Sequence, residues 1–317
     1  MITNRQPGGL LQLIYHKLNF RNRFLKLVCI VFLIIPELSF SAGQPYYDIM
    51  VAADGSGDYT TLTEAINALP MFNYERIVIY IRNGIYNEKI RIEQNNVTFL
   101  GESRDSTIIC FNQLRTDWIN NKDYIGPAVI NIHADDIILK NLTVENTQPG
   151  IGPHAFAVYG TGTRTILVNC NVVSKGGDTL SLWNYKNGKY YHFNCYFEGS
   201  VDFVCPRGWC YIKDSQFYEL KKTAAIWHAG SADRNRPKIF GDRYYYYNCH
   251  RTGGYFEWFS DNLREAENFP GIKDITAEWT FDGRWNPESK EKPFIESFKI
   301  EDKSLILHFN ELLTINP

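Results

Sequence analysis

Residues 176–211, GGDTLSLWNYKNGKYYHFNCYFEGSVDFVCPRGWCY, hold two aspartates, each set in a short apolar run: Asp178 in Gly177-Asp178-Thr179-Leu180 and Asp202 in Val201-Asp202-Phe203-Val204. They stand 24 residues apart (202 − 178), about one turn of a β-solenoid. Successive turns stack equivalent positions, so this spacing sets the two carboxylates against each other. A carboxylate flanked by Val201, Phe203 and Val204 is costly to bury unless it is paired, hydrogen-bonded or neutralised. Aspartate is also a common turn former, so either residue alone has a structural reading as the cap of a turn between strands. Both together point to chemistry.

Outward from this stretch, the chain consists of short β-branched runs separated by polar turns: Ile77–Ile81, Val97–Leu100, Thr107–Cys110, Ala128–Ile132, Ile137–Leu139, Leu142–Val144, Ala155–Val158 and Thr165–Val168. No helical period of useful length intervenes between them. Strands with neither crossover helices nor alternating hairpin turns argue for parallel coils. A loose repeat agrees with this: Asn141-Leu142, Asn169-Cys170, Asn194-Cys195, Asp214-Ser215 and Asn248-Cys249 each sit beside a strand, at separations of 28, 25, 20 and 34 residues. Asn at such a position predicts a ladder of turns whose side chains bond the turn backbone. The fold class expected is all-β, a single-stranded right-handed parallel β-helix. Before it, Tyr47–Val51 reads as a first strand and Asp54–Asp58 as a Gly-rich turn that lacks the Lys and Ser/Thr of a phosphate loop. Thr61–Leu69 places Leu62, Ala65, Ile66 and Leu69 at helical spacing behind a Thr cap, a short helix suited to covering the N-terminal end of the coils.

The 317-residue chain has 44% hydrophobic and 21% charged residues, enough for a large core, and a formal charge of −2 that offers no electrostatic footprint for nucleic acid. Its 20 Tyr and 7 Trp suit a surface that stacks on sugar rings, although most tyrosines, Tyr244–Tyr247 included, are accounted for by strand preference. Residues 16–43 read as an export signal: Lys17, Arg21, Arg23 and Lys26 precede the apolar run 27–35, which is short for a membrane span, and small residues follow at Ser39, Ser41 and Ala42. The expected division is an N-terminal extension and signal over 1–42, a β-helix domain over 43–290 and a C-terminal tail over 291–317. That makes the product secreted, periplasmic or extracellular, with no stable membrane span after cleavage, and a monomer. Beyond Asn248, loops are expected, with Trp258, Trp279 and Trp285 packed on the outside of the coils. Six cysteines, Cys110, Cys170, Cys195, Cys205, Cys210 and Cys249, fall in the exported part, and their spacing leaves disulfide pairing open. Cys205 and Cys210 have no second Cys or His pair at zinc spacing, so no metal is expected.

Two stacked carboxylates do not both ionise cheaply, so one tends to hold a proton and their roles divide into acid and nucleophile. On that chemistry alone glycosidic cleavage is as reasonable as ester hydrolysis. The flanking blocks decide for the ester. Gly177-Asp178-Thr179-Leu180 and Gly199-Ser200-Val201-Asp202-Phe203 resemble the signatures of the pectinesterases (pectin methylesterases, carbohydrate esterase family 8), and Cys205–Cys210 resembles a bacterial branch of that family. Further matches run from Val51–Gly57 through Gly84–Glu88 to Trp279–Trp285, so the resemblance covers roughly residues 48–288. It implies a right-handed parallel β-helix and the cofactor-free hydrolysis of the methyl esters of homogalacturonan. It also implies that Asp202 attacks the ester carbonyl and that Asp178 protonates the departing methanol.

Three positions depart from the family pattern. His154-Ala155-Phe156-Ala157-Val158 stands where the family has a Gln-Ala-Val-Ala-Leu block, making His154 the candidate oxyanion donor, with a plain turn residue after Pro153 as its alternative. Gly177 replaces a glutamine before the first aspartate. The Leu-Gly-Arg block that should follow the nucleophile is missing, residues 221–243 running almost directly into Arg243–Cys249. Arg207 and Trp209, close behind Asp202, are the remaining candidates for the substrate pocket, with a structural ion pair or an exposed turn as the alternative for Arg207. The partner expected is pectin. A degenerate β-helix that binds pectic polymers without catalysis is the competing class, and a pectate lyase or polygalacturonase a lesser one. A lyase would want clustered acidic calcium ligands, whereas Asp135-Asp136 reads more simply as a coil turn.

Overall fold

The computed structural model describes residues 45–220, 244–247, 250–252, 276–281, 283–288, 295–301 and 304–309. The export-signal reading over 16–43, residues 221–243 with the missing block, Asn248, Cys249 and Trp258 lie outside them. Three parallel sheets wind together as coils. One sheet is formed by β1 (Ile49–Val51), β2 (Ile77–Ile81), β5 (Val97–Gly101), β8 (Ile138–Lys140), β11 (Thr165–Val168), β14 (Lys189–Phe193), β16 (Trp209–Lys213) and β18 (Tyr244–Tyr247). The second holds β3 (Gly84–Asn87), β6 (Thr107–Phe111), β9 (Thr143–Asn146), β12 (Asn171–Ser174), β15 (Tyr196–Gly199), β17 (Gln216–Glu219) and β19 (His250–Thr252). The third holds β4 (Ile90–Ile92), β7 (Ala128–Ile132), β10 (Phe156–Gly160) and β13 (Leu180–Leu182). From β2 to β13 each of four coils visits the three sheets in turn, and from β14 to β19 the coils continue in the first two sheets, which is the expected parallel β-helix.

The coil corners explain the Asn repeat. Asn141, Asn169, Asn194 and Asp214 all adopt left-handed φ of 49° to 55°, a region where Asn and Asp are enriched. Their backbone N–H groups already serve the next coil: Asn141 donates to Val168 O at 3.1 Å, Asn169 to Phe193 O at 2.9 Å and Asn194 to Lys213 O at 3.1 Å. The side chains therefore bond one another instead of the turn backbone that the repeat had suggested. Asn169 Nδ2 donates to Asn141 Oδ1 at 2.8 Å, and Asn194 Nδ2 donates to Asn169 Oδ1 at 3.1 Å. The next residue of each corner, Leu142, Cys170, Cys195 or Ser215, points into the core and is buried. The five described cysteines are free thiols.

Inside, equivalent positions stack into columns. Phe99, Leu139, Leu167, His192 and Ile212 occupy one such column in register. The end of the coils carries α1 (Leu62–Asn67), started by a capping box in which Thr61 and Glu64 satisfy each other's backbone donors. The Glu88 carboxylate accepts from the Leu62 and Thr63 N–H groups, both at 2.9 Å, and α1 packs on the edge strands β1 and β4.

Two features differ from the sequence expectation. A second six-residue helix, α2 (Arg115–Asn120), interrupts the run of strands, and its N-cap Leu114 makes no side-chain cap bond. The C-terminal part is more than loops and tail. A short α3 (Ala277–Thr280) is followed by an antiparallel hairpin of β20 (Ile295–Glu301) and β21 (Ser304–Phe309). Ala277 and Phe281 pack with Ile138, Ile166, Tyr191, Trp209 and Tyr211 in a second apolar cluster on the first sheet. Trp285 lies against it with its ring 4.7 Å from Phe281, the outer packing expected of it.

Candidate active site

The third sheet and its continuation carry the site. Leu180 forms a parallel bridge with Val204, the same 24-residue offset that separates the aspartates. Asp178 N–H donates to Val201 O at 2.8 Å and Leu180 N–H to Phe203 O at 2.9 Å, so Asp202 follows Asp178 at the same place on the next coil. Both are left-handed, at φ 55° and 45°, a conformation that side chains other than Asn and Asp rarely take. The two differ in exposure: Asp178 is 6% exposed, whereas Asp202 is half-buried.

His154 joins the pair from the preceding coil. It bridges Gly177, and its Nε2 lies 3.7 Å from Asp178 Oδ2. A one-residue slip places it there. His154 aligns with Gly177 but Val158 aligns with Leu180, and both Ala157 and Val158 donate to Thr179 O. This is a β-bulge, which re-aims a side chain beside a site. Burial first, and then the charge of Arg115, holds the His154 imidazole below its usual pKa, with Asp202 acting the other way. The ring is thus a neutral hydrogen-bonding group at pH 7.

Gly177 has a steric reason. A Cβ there would stand 2.8 Å from Val201 O, so any side chain requires that carbonyl to move. Gly199 is more constrained, since its Cβ would meet Phe203 Cβ at 2.1 Å. Cys205, buried behind the pair, has its thiol pushed up to about 12 by burial first and then by the Asp178 charge, with a further contribution from Asp202.

Arg207 is neither an exposed turn nor an ion-pair partner among the described residues. Its guanidinium stacks 4.0 Å from the Trp183 ring and donates to the Tyr185 hydroxyl, and its charge is felt at Cys205. Trp209 goes elsewhere. It is buried in the second apolar cluster with Arg284 above its ring at 5.6 Å, because its place on β16 directs it to the face under α3. The structure thus brings together Asp178, Asp202 and His154, places Arg207 near them through Cys205, and leaves Trp209 out.

Sequence reasoning missed the aromatic side of the site. Phe156, Tyr159 and Trp183 form a cluster with centroid separations of 5.3 to 6.0 Å. They line a groove of about 280 Å³ together with Arg91, Arg115 and Trp118. The available signal was Phe156 and Tyr159 on one strand with Trp183 one coil later. The Asp135-Asp136 corner is occupied by Arg164, which donates to both Asp136 oxygens at 2.6 Å. Among the described residues no three His, Cys, Asp or Glu side chains converge as a metal site requires.

Comparison with known proteins bears on this site. The pectinesterase family model matches residues 48–234, more than half of the chain. The chain belongs to the pectinesterase family. It is similar to Pectinesterase 31 of Arabidopsis thaliana, 32% identical over 165 residues, which cover 49% of this chain and 51% of that protein. It is also similar to the probable pectinesterase/pectinesterase inhibitor 42 of the same plant, 34% identical over 171 residues, 53% of this chain and 31% of that one. The chain therefore spans about half, or less, of the length of the curated relatives it matches. Among solved structures, a pectin methylesterase from carrot aligns with a TM-score of 0.54 at 24% identity, covering 66% of this chain and 65% of that one. One from Aspergillus niger aligns with a TM-score of 0.54 at 25% identity, covering 67% and 69%. The chain shares their right-handed parallel β-helix.

Proposed function

We propose that this pectinesterase hydrolyses the methyl esters of homogalacturonan to pectate and methanol. The observation that carries the reading is the repetition of a left-handed aspartate at one position of two successive coils, one carboxylate buried and the other half-exposed. The half-exposed Asp202 has the access a nucleophile needs. It attacks the ester carbonyl, and the tetrahedral intermediate expels methanol as Asp178 delivers its proton to the leaving oxygen. Water, deprotonated by Asp178, then hydrolyses the acyl-enzyme and returns Asp202 as a carboxylate. His154, with Nε2 3.7 Å from Asp178 Oδ2, is the side chain we assign to the oxyanion, a role worth about 10²–10³ in rate when one donor is lost. The export signal read in residues 16–43 makes the site of action extracellular or periplasmic.

Gly177 favours a second reading, a β-helix that binds pectic polymer without turning it over, because that position offers no oxyanion donor. Methanol release from highly esterified pectin separates the two. The full chain is expected to release methanol in the presence of chelators, and Asp202→Ala to abolish the release. A folded chain that binds pectin and releases none sinks the esterase reading.

A further inference from the structure

Cys170 and Cys195 stand at the same corner of two successive coils, 25 residues apart (195 − 170), each directly behind a left-handed Asn of the ladder. The residues that follow them pair in parallel register, Asn171 with Tyr196 and Val172 with Phe197, and Tyr196 N–H donates to Cys170 O at 2.9 Å. Both side chains are buried in the core, and each repeats the other's surroundings one coil on. Cys170 Sγ lies 3.3 Å from both Val168 O and Leu139 O, and Cys195 Sγ lies 3.3 Å from Phe193 O and 3.5 Å from Leu167 O. The Cys195 thiol is held well above its usual pKa by burial first and then by a hydrogen bond with Cys170.

Neighbouring strands run about 4.8 Å apart, inside the range of about 4.4–6.8 Å that a disulfide spans between Cα atoms. No other two of the described cysteines are register partners. Cys110 on β6 stands opposite Asn87 and Glu145, Cys210 on β16 stands opposite Tyr190 and Tyr244, and the rung after Cys195 is Ser215, whose Oγ accepts from Cys195 N–H at 3.0 Å. We propose that Cys170 and Cys195 are joined as a disulfide when the chain folds under oxidising conditions, the two thiols described above being the reduced state of the pair. Each thiol gives up its hydrogen and the pair gives up two electrons. A small-molecule disulfide such as oxidised glutathione takes these up through a mixed disulfide and leaves as two thiols. Neither sulfur is reachable once the coils have closed, so the bond forms during folding. It ties the coil that leads to Asp178 to the coil that leads to Asp202, and it stabilises the fold by restricting the unfolded chain. The assignment does not depend on the pectin reading above.

The test is peptide mapping of the full chain, folded in a buffer of reduced and oxidised glutathione or taken from the periplasm of a bacterial host. The chain is quenched in acid, alkylated and digested, and its peptides are weighed with and without reductant. A linked pair of peptides carrying Cys170 and Cys195 is expected, lighter by two hydrogens than the separate peptides and split by reductant. Thermal unfolding gives a second readout. Reduction should lower the midpoint of the unaltered chain by about 5–10 °C and leave that of Cys170→Ala/Cys195→Ala where it was. Should the double variant fail to fold, Cys195→Ala alone takes its place. Recovery of both cysteines alkylated from the folded chain, or a link from either one to another cysteine, overturns the assignment. So does a fall of the same size on reduction of the double variant, which would put the stabilising bond elsewhere.

Discussion

The Asn141–Asn169–Asn194 ladder and the Asp178–Asp202 pair are the same backbone device with different side chains. Each repeats a left-handed residue at one position of successive coils, with φ between 45° and 55°. In the ladder each amide carries both a donor and an acceptor, so the three bond in sequence at 2.8 and 3.1 Å, with Asn169 donating to one neighbour and accepting from the other. Two carboxylates at the same spacing have acceptors only, unless one keeps a proton. One stack is satisfied by itself. The other offers its neighbour acceptors alone, which suits a pair that takes up and gives back a proton and does not suit a structural corner.

The largest effect expected comes from making the second stack resemble the first. Asp202→Asn supplies an amide that can donate to Asp178, and it removes the nucleophile. Methanol release should fall by about 10³-fold or more, while the midpoint of thermal unfolding holds or rises, the usual sign of a site built against stability. A variant that loses activity and also melts much earlier would mean that the pair supports the fold rather than straining it.

The converse change breaks the ladder. Asn169→Leu removes both amide bonds and forces a branched side chain into a left-handed corner, at a cost of about 2–4 kcal/mol. Asn169→Gly keeps the backbone preference and loses only the bonds, so about half of that cost is expected. Denaturant unfolding of the two variants separates conformation from hydrogen bonding. Equal losses would show that the amide ladder contributes nothing of its own.

Both stacks were legible in the sequence because a solenoid turns three-dimensional neighbours into a simple period. The 24-residue spacing of the aspartates survives as the Leu180–Val204 bridge, and the Asn repeat survives as the corner ladder. What was not legible broke that period. The slip between His154 and Val158 is a single residue, invisible without the partner strand. Helix α2 has six residues and no side-chain cap, too little signal to stand out from a loop. The groove joins Phe156 and Tyr159 of one strand with Trp183 and Arg115 of two other coils, and nothing local marks them as one wall. Trp209 was assigned to the pocket by its closeness to Asp202 in sequence, but the turn into β16 carries it to another face. The C-terminal hairpin had a signal in its alternating residues 295–309, outside the coil pattern that guided the reading.

A third stack sharpens the comparison, because there an ionisable residue sits in the apolar core with no side-chain hydrogen-bond partner among the described residues. His192 lies in the interior column between Leu167 and Ile212, fully buried. Among the described residues neither ring nitrogen meets a partner with full hydrogen-bond geometry, although the Tyr191 backbone lies close and the ring packs edge-on against Phe197 at 5.8 Å. Burial pushes the ring down to about 3. The unfolded chain binds this proton near pH 6.5 and the folded chain only near 3, so the group costs stability increasingly as pH falls through that window, with a slope approaching about 1.4 kcal/mol per pH unit. His192→Leu should gain about 1–2 kcal/mol at pH 7, and the gain should widen on acidification. A gain that is flat between pH 7 and 4 would show that the ring is solvated or bonded in the folded state.

The smallest change addresses the end of the ladder, where the rung after Asn194 is Asp214 at φ 49°. An aspartate there offers acceptors but no amide N–H, so the chain of amide-to-amide bonds is interrupted at that rung. Asp214→Asn keeps the left-handed preference and adds an N–H that Asn194 Oδ1 can accept. The expected gain is about 0.5 kcal/mol, the low end for one hydrogen bond near the surface, with methanol release unchanged because this corner joins β16 to β17 away from Asp178. Equilibrium unfolding resolves a shift of that size only against Asn169→Gly measured under the same conditions. If Asp214→Asn destabilises, the anion is serving another contact at that corner, and the amide ladder is complete with three rungs.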